Sequence, residues 1–253
     1  MFPYHDENDT LRPAYVTIAI IAANALVWLF VQGGGTEYSV AASVCNLGLI
    51  PAELTRSVPP GTARPLGGGL ACVIDPGREP LHLLTSMFLH GSWMHLLGNM
   101  WFLWLFGNNV EDAMTRPRFV VFYLSCGLAA ALLQTFVTPD SIVPMVGASG
   151  AISGVMGAYL VLYPRVRVFT LVPFGFFITT VALPAWAMLL YWAFLQLASG
   201  LFAGVTGAQG GVAFWAHIGG FAAGLLLVYI FRRRDYLVAH RSMPWRPRHG
   251  RWA

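Results

Sequence analysis

The sequence predicts an all-α fold, a polytopic membrane bundle of six transmembrane helices, on three observations. The 253 residues are 57% hydrophobic and only 10% charged, with mean hydropathy +0.62, which is far from a soluble globular composition. Six apolar runs free of Asp, Glu and Arg approach or reach the roughly 20 helical residues that cross a hydrocarbon core. Arginines gather at alternate connections between these runs, as positive charge does about a bilayer.

Residues 1–15 form an N-terminal segment made net acidic by Asp6, Glu7 and Asp9 against Arg12. An acidic flank, with no small-residue cleavage site closely following Val31, makes Val16–Val31 a membrane span rather than a cleaved signal peptide. An outer loop of about residues 33–88 holds Cys45 and Cys72, where a disulfide or two free buried thiols would both fit. The second span is Leu89–Gly107. The third, Phe119–Val137, contains Cys126 as a packing residue, and a short turn with Pro139 and Asp140 separates it from the fourth, Val143–Tyr163.

The fifth span, Phe176–Leu197, carries Pro184 with Phe176, Phe177, Trp186, Tyr191, Trp192 and Phe194. These read either as a kink with lipid-facing aromatics or as a bendable gate. The sixth, Val212–Phe231, leads into a basic tail, residues 232–253. Twelve of the fifteen arginines lie in the N-terminal segment, beside Arg116 and Arg118, beside Arg165 and Arg167, or in the tail at Arg232, Arg233, Arg234, Arg241, Arg246, Arg248 and Arg251. Only Arg56, Arg64 and Arg78 fall on the other side. This places both termini in the cytoplasm, with residues 16–231 as the membrane domain. The tail fixes topology and would attract anionic lipid; nucleic acid is not needed to explain it.

Spans two, four and six enter the membrane from the same side. His95, Ser149 and His217 each sit about five residues past the start of their span, about 8 Å of helical rise. Asn99 follows His95 by one turn on the same face. Polar side chains in apolar runs are costly without a partner and mark function by default. Small residues, Gly147, Gly150 and Gly154 in span four and Gly220 and Gly224 in span six, supply a packing face for close helix contact.

Together these residues fit acyl transfer. Ser149 would attack a peptide carbonyl after giving its proton to His217, which returns one to the leaving amine. The developing oxyanion would be met by His95, Asn99 and the backbone N–H of Ser149. With no carboxylate in any span, the site would be a Ser-His dyad of slow turnover, opening to water on the outer side. Each residue also has a plainer role: Ser149 bonded to its own helix, His217 a satisfied core histidine, His95 and Asn99 interhelical glue. His90 is expected as a structural residue of the outer loop. A metal site from His90, His95 and His217 lacks a His-Glu-x-x-His run and a carboxylate ligand, so neither metal nor cofactor is expected.

Gly147-Ala148-Ser149-Gly150, Ala216-His217-Ile218-Gly219-Gly220 and the spacing of His90, His95 and Asn99 together resemble the rhomboid intramembrane serine proteases, from about Pro80 to Arg232. Asp6-Glu7-Asn8 before the first span is similar to bacterial members, which implies a bacterial inner membrane. The resemblance implies a six-helix bundle with Ser149 as nucleophile, His217 as general base, and His95 with Asn99 at the oxyanion. It also implies transmembrane protein substrates that enter beside helix five and are cut near their outer ends after local unwinding. Two positions depart from the family: Leu81-His82 stands where Trp-Arg is common, and Ser153 replaces an aromatic that packs on the histidine. A catalytically silent relative that binds transmembrane clients is the alternative. A proton-coupled transporter or an aspartyl protease would need acidic residues that the spans lack. Oligomeric state has no signal in the sequence.

Overall fold

The computed structural model describes residues 2–241, apart from 68, 78, 175–176 and 207–211. Arg78, Phe176 and the tail residues Arg246, Arg248 and Arg251 lie outside the described residues. Each of the six apolar runs contains a long helix: α1 (Tyr15–Phe30), α5 (Trp93–Asp112), α6 (Arg116–Val137), α7 (Ser149–Leu162), α8 (Ala185–Thr206) and α9 (Phe214–Phe231). Short helices α2 (Glu37–Leu47), α3 (Pro51–Thr55) and α4 (His82–Thr85) occupy the outer loop, and α10 (Arg234–Arg241) follows α9. Among the described residues, α6, α8 and α9 are long and apolar enough to cross a membrane, while α1 and α7 are apolar but shorter. The chain is a mostly helical protein with membrane-spanning helices.

The all-α expectation is corrected by two small sheets. Strand β1 (Phe2–Asp6) pairs antiparallel with β4 (Arg167–Phe174), which pairs with β5 (Phe177–Pro184). A hairpin of β2 (Ala63–Gly67) and β3 (Leu70–Val73) lies in the outer loop. The expected start of the fifth span at Phe176 is therefore wrong. Ile178, Thr179, Thr180 and Val181 are β-branched residues that favour a strand, and α8 begins only after Pro184 and continues to Thr206. Pro184 accordingly stands at the mouth of α8 and introduces no kink within it.

The fourth run is also helical only in part. Leu49 and Met145 exchange backbone bonds of 3.0 and 2.7 Å, so the chain is extended before α7. Pro144 has no amide to donate, and Gly147 adopts φ +126°, a region that disfavours any side chain. Ser149 thereby becomes the first residue of α7.

α7 is the central post, buried along nearly its whole length, and packs most extensively on α9, then on α6 and α5. The second span is expected to end at Gly107, but α5 continues to two buried carboxylates that secure α1. Glu111 accepts from the backbone N–H groups of Val16 (2.9 Å) and Thr17 (2.7 Å) and from the Thr17 hydroxyl (2.8 Å). These are donors that a helix N-terminus leaves open, and a negative charge there is favourable. Asp112 accepts from the N–H groups of Leu11 and Arg12 and pairs with the Arg12 guanidinium at 3.0 Å. In the outer loop, Cys45 of α2 and Cys72 of β3 form a disulfide, with Cα atoms 5.3 Å apart. Cys126 is a free buried thiol.

Asp6 is buried where β1 meets the bundle, accepting from the Tyr159 hydroxyl (2.6 Å) and the Asn109 amide (3.0 Å). Burial, opposed by the Tyr159 bond and aided by the charge of Asp9, pushes its carboxyl up to about 7. Between the unfolded value of about 4 and this folded value, the native state keeps a proton that the unfolded chain has lost. Stability should therefore fall as pH rises from about 4 to 7, by on the order of 4 kcal/mol, and level off above that. Thermal unfolding in detergent at a series of pH values should show this slope, and Asp6→Asn should flatten it. An identical slope in the variant would contradict the assignment.

Candidate functional site

α7 and α9 approach until their backbones touch. A Cβ placed at Gly220 would collide with the Gly150 carbonyl, one at Gly224 with the Gly154 carbonyl, and one at Gly157 with the Phe221 carbonyl. On the other side of α7, Gly150 faces Ala130 and Gly154 faces Cys126, both from α6. Small residues thus let two helices, α9 and α6, close on α7, with contact area taking the place of the solvent-driven effect that lipid does not provide. Gln134 of α6 accepts from the Ala216 N–H at 3.1 Å, satisfying one open donor in the first turn of α9.

This crossing sets His217, in the first turn of α9, beside Ser149, at the start of α7. His217 Nε2 lies 2.8 Å from Ser149 Oγ. The other ring nitrogen, Nδ1, lies 2.7 Å from the side-chain oxygen of Gln196 on α8. Trp192, one turn before Gln196, packs against the imidazole with ring centroids 5.9 Å apart.

His95 and Asn99 face the same place from α5. Ser92 caps this helix by accepting from the His95 N–H at 3.2 Å. The Gly91 N–H donates to His95 Nδ1 at 3.4 Å, so the neutral ring carries its hydrogen on Nε2. That Nε2 would be 2.7 Å from a Cβ at Gly147, and Asn99 Nδ2 would be 3.5 Å from it. Asn99 Nδ2 is buried with no partner, a costly state for a donor unless a ligand or water meets it. Ser149 lies in the first turn of α7, whose amides lack intrahelical acceptors. His95, Asn99, Gly147, Ser149 and His217 line one cavity of about 1240 Å³, bordered by α2 and by Leu66 of β2.

A hydroxyl bonded to an imidazole beside a cluster of N–H donors is suited to nucleophilic attack on a carbonyl, with the resulting oxyanion held by those donors. His90 is fully buried. Gln32 clamps its backbone at both its N–H (2.8 Å) and its carbonyl (2.7 Å), and its ring meets that of His95 edge-on. Among the described residues, no three His, Cys, Asp or Glu side chains are placed to hold a metal. Leu81 is exposed, and His82 opens α4. Ser153 donates to the Ser149 carbonyl at 2.6 Å. Trp192 of α8 thus makes a contact with His217 of the kind that the family resemblance assigns to an aromatic at position 153.

The sequence gives no role to Gln196, although a glutamine in an apolar helix is the same costly feature that singles out Ser149 and His217, and Trp192, expected as a lipid-facing or gate aromatic, packs on the imidazole instead. A side chain at Gly147 would combine a disfavoured φ with crowding of His95. Gly147→Ala should therefore lower stability by roughly 1–3 kcal/mol, read as a lower unfolding temperature in detergent; unchanged melting would contradict this packing.

Residues 77–234, more than half of the chain, match the family model described as Rhomboid domain. RHOMBOID-like protein 6, mitochondrial, of Arabidopsis thaliana is 29% identical over 164 residues, covering 60% of this chain and 53% of that protein. Rhomboid protein 1, mitochondrial, of Saccharomyces cerevisiae is 28% identical over 156 residues, covering 60% and 42%. Rhomboid-like protease 5 of Toxoplasma gondii is 33% identical over 153 residues, covering 58% and 16%. The chain thus spans about half or less of the length of these curated relatives, which are all eukaryotic. The matched region holds α5 to α9 with His95, Asn99, Ser149 and His217, and the chain belongs to the rhomboid family.

Proposed function

We propose that this chain is an intramembrane serine endopeptidase that cleaves transmembrane segments of membrane proteins. The observation that carries this reading is the 2.8 Å contact between Ser149 Oγ and His217 Nε2, at the wall of a cavity that Asn99, its amide nitrogen buried without a partner, also lines. Ser149 Oγ gives its proton to Nε2 and bonds to the substrate carbonyl carbon. The resulting oxyanion takes hydrogen bonds from His95 Nε2, Asn99 Nδ2 and the Ser149 N–H. The C–N bond then breaks as His217 returns the proton to the amine, and water releases the acyl group by the same route. A relative named as a protease supports the class.

We place all six long helices across the bilayer. α7 leads from Ser149 to the turn with Arg165 and Arg167, about 21 Å away by helical rise. At that end β1 pairs with β4, the Arg233 N–H bonds the Ala113 carbonyl, and His240 Nε2 donates to the Asp9 carbonyl. The arginine-rich segments thus share the end opposite the cavity, which supports cytoplasmic termini and a site near the outer surface. The similarity of Asp6-Glu7-Asn8 to bacterial members supports a bacterial inner membrane, and substrates are single spans cut near their outer ends. A helical peptide bond is shielded, so the substrate must unwind locally to reach Ser149.

Purified protein and a model single-span substrate in detergent provide the test, with product mass locating the cut. Wild type should cleave near the outer end of the span, and Ser149→Ala or His217→Ala should lose at least about 10³-fold in kcat. Equal cleavage by Ser149→Ala would refute the mechanism. Folded wild type that binds the substrate without cutting it would favour a silent client-binding protein.

A further inference from the structure

His217 is held at both ring nitrogens, and its second partner comes from a helix that contributes no group to the bond-breaking chemistry. Gln196 Oε1 lies 2.7 Å from Nδ1. An amide oxygen can only accept, so the hydrogen of the neutral imidazole sits on Nδ1 and Nε2 is left with a lone pair. That lone pair faces Ser149 Oγ at 2.8 Å. Trp192 and Gln196 are four residues apart on one face of α8, so the indole covers the ring while the amide holds its edge. The same indole reaches Phe221, one turn beyond His217 on α9, with centroids 5.8 Å apart. Rotating the imidazole would break both polar bonds and this tilted ring contact together.

We propose that Gln196 is a positioning residue: its side-chain oxygen fixes the Nδ1–H tautomer of His217 and so presents Nε2 as the base for Ser149. It takes the part that aspartate plays in Ser-His-Asp sites, without the charge that would stabilise the imidazolium. The role rests on the proteolytic reading above. It also makes the imidazole depend on α8, which is less enclosed by the rest of the protein than α6 or α9. A displacement of α8 would release the ring.

The test uses the full chain in detergent with 15N-labelled histidine, the His217 signal being identified by its loss in His217→Ala. Wild type should show a protonated Nδ1 and an unprotonated, pyridine-like Nε2. Gln196→Leu should lose that preference and lower kcat on the model single-span substrate by roughly 10²-fold at unchanged KM, short of the about 10⁴-fold lost when a triad aspartate becomes asparagine. Gln196→Glu, which keeps an acceptor, should recover most of the rate. A glutamine that merely joined α8 to α9 would affect melting while leaving tautomer and kcat at wild-type values, and that result would overturn the proposal. So would a wild-type ring protonated at Nε2, which needs no variant to fold. If wild type neither cleaves the substrate nor takes a fluorophosphonate at Ser149, the proteolytic reading fails, and the tautomer still decides whether Gln196 sets the ring.

Discussion

The backbone contact between α7 and α9 is the constraint on which the site depends. Gly220 lies against the Gly150 carbonyl and Gly224 against the Gly154 carbonyl, so the two helices cross with no side chain between them. Only at that separation can a serine, which has one side-chain carbon, reach an imidazole on the next helix at 2.8 Å. The glycines cost helix propensity, up to about 1 kcal/mol each relative to alanine. Packing offsets this, because α7 is enclosed by α5, α6 and α9 along its length. The most enclosed helix of the bundle thus also carries Ser149.

Around that crossing, polar groups perform jobs that an apolar helix cannot perform for itself. Glu111 and Asp112 secure the start of α1, Gln134 the start of α9, and Ser92 the start of α5. Glu111, Gln134 and Ser92 satisfy backbone donors in the first turn of a helix, and Asp112 those of the chain leading into α1. Asn99 stands apart because its amide nitrogen is buried without a protein partner. A donor left open beside a bonded serine and histidine indicates where a substrate oxygen would sit.

Much of this was legible in the sequence because burial of polar groups in apolar runs is informative. Ser149, His217, His95 and Asn99 were picked out on that ground, and the structure brings all four to one cavity. The glycine pattern likewise located the α7 and α9 faces that meet. The β4–β5 hairpin was missed because Ile178 to Leu183 is apolar enough to extend a span, and apolarity alone does not separate a strand from a helix. The roles of Glu111 and Asp112 were hidden because α1 and the end of α5 are about a hundred residues apart in the chain. The Cys45–Cys72 pairing needed the same long-range information, namely that α2 and β3 come together. Gln196 followed the rule that found the others, yet its value lies in direction: only the fold shows that it points at His217.

The account stands or falls on whether the hydroxyl of Ser149 is activated by His217. Mass-spectrometric mapping after reaction of the purified, folded protein with a fluorophosphonate tests this most directly. The account predicts a single adduct on Ser149 whose formation is abolished in His217→Ala. An unmodified wild-type protein, an adduct elsewhere, or an undiminished reaction in His217→Ala would contradict it.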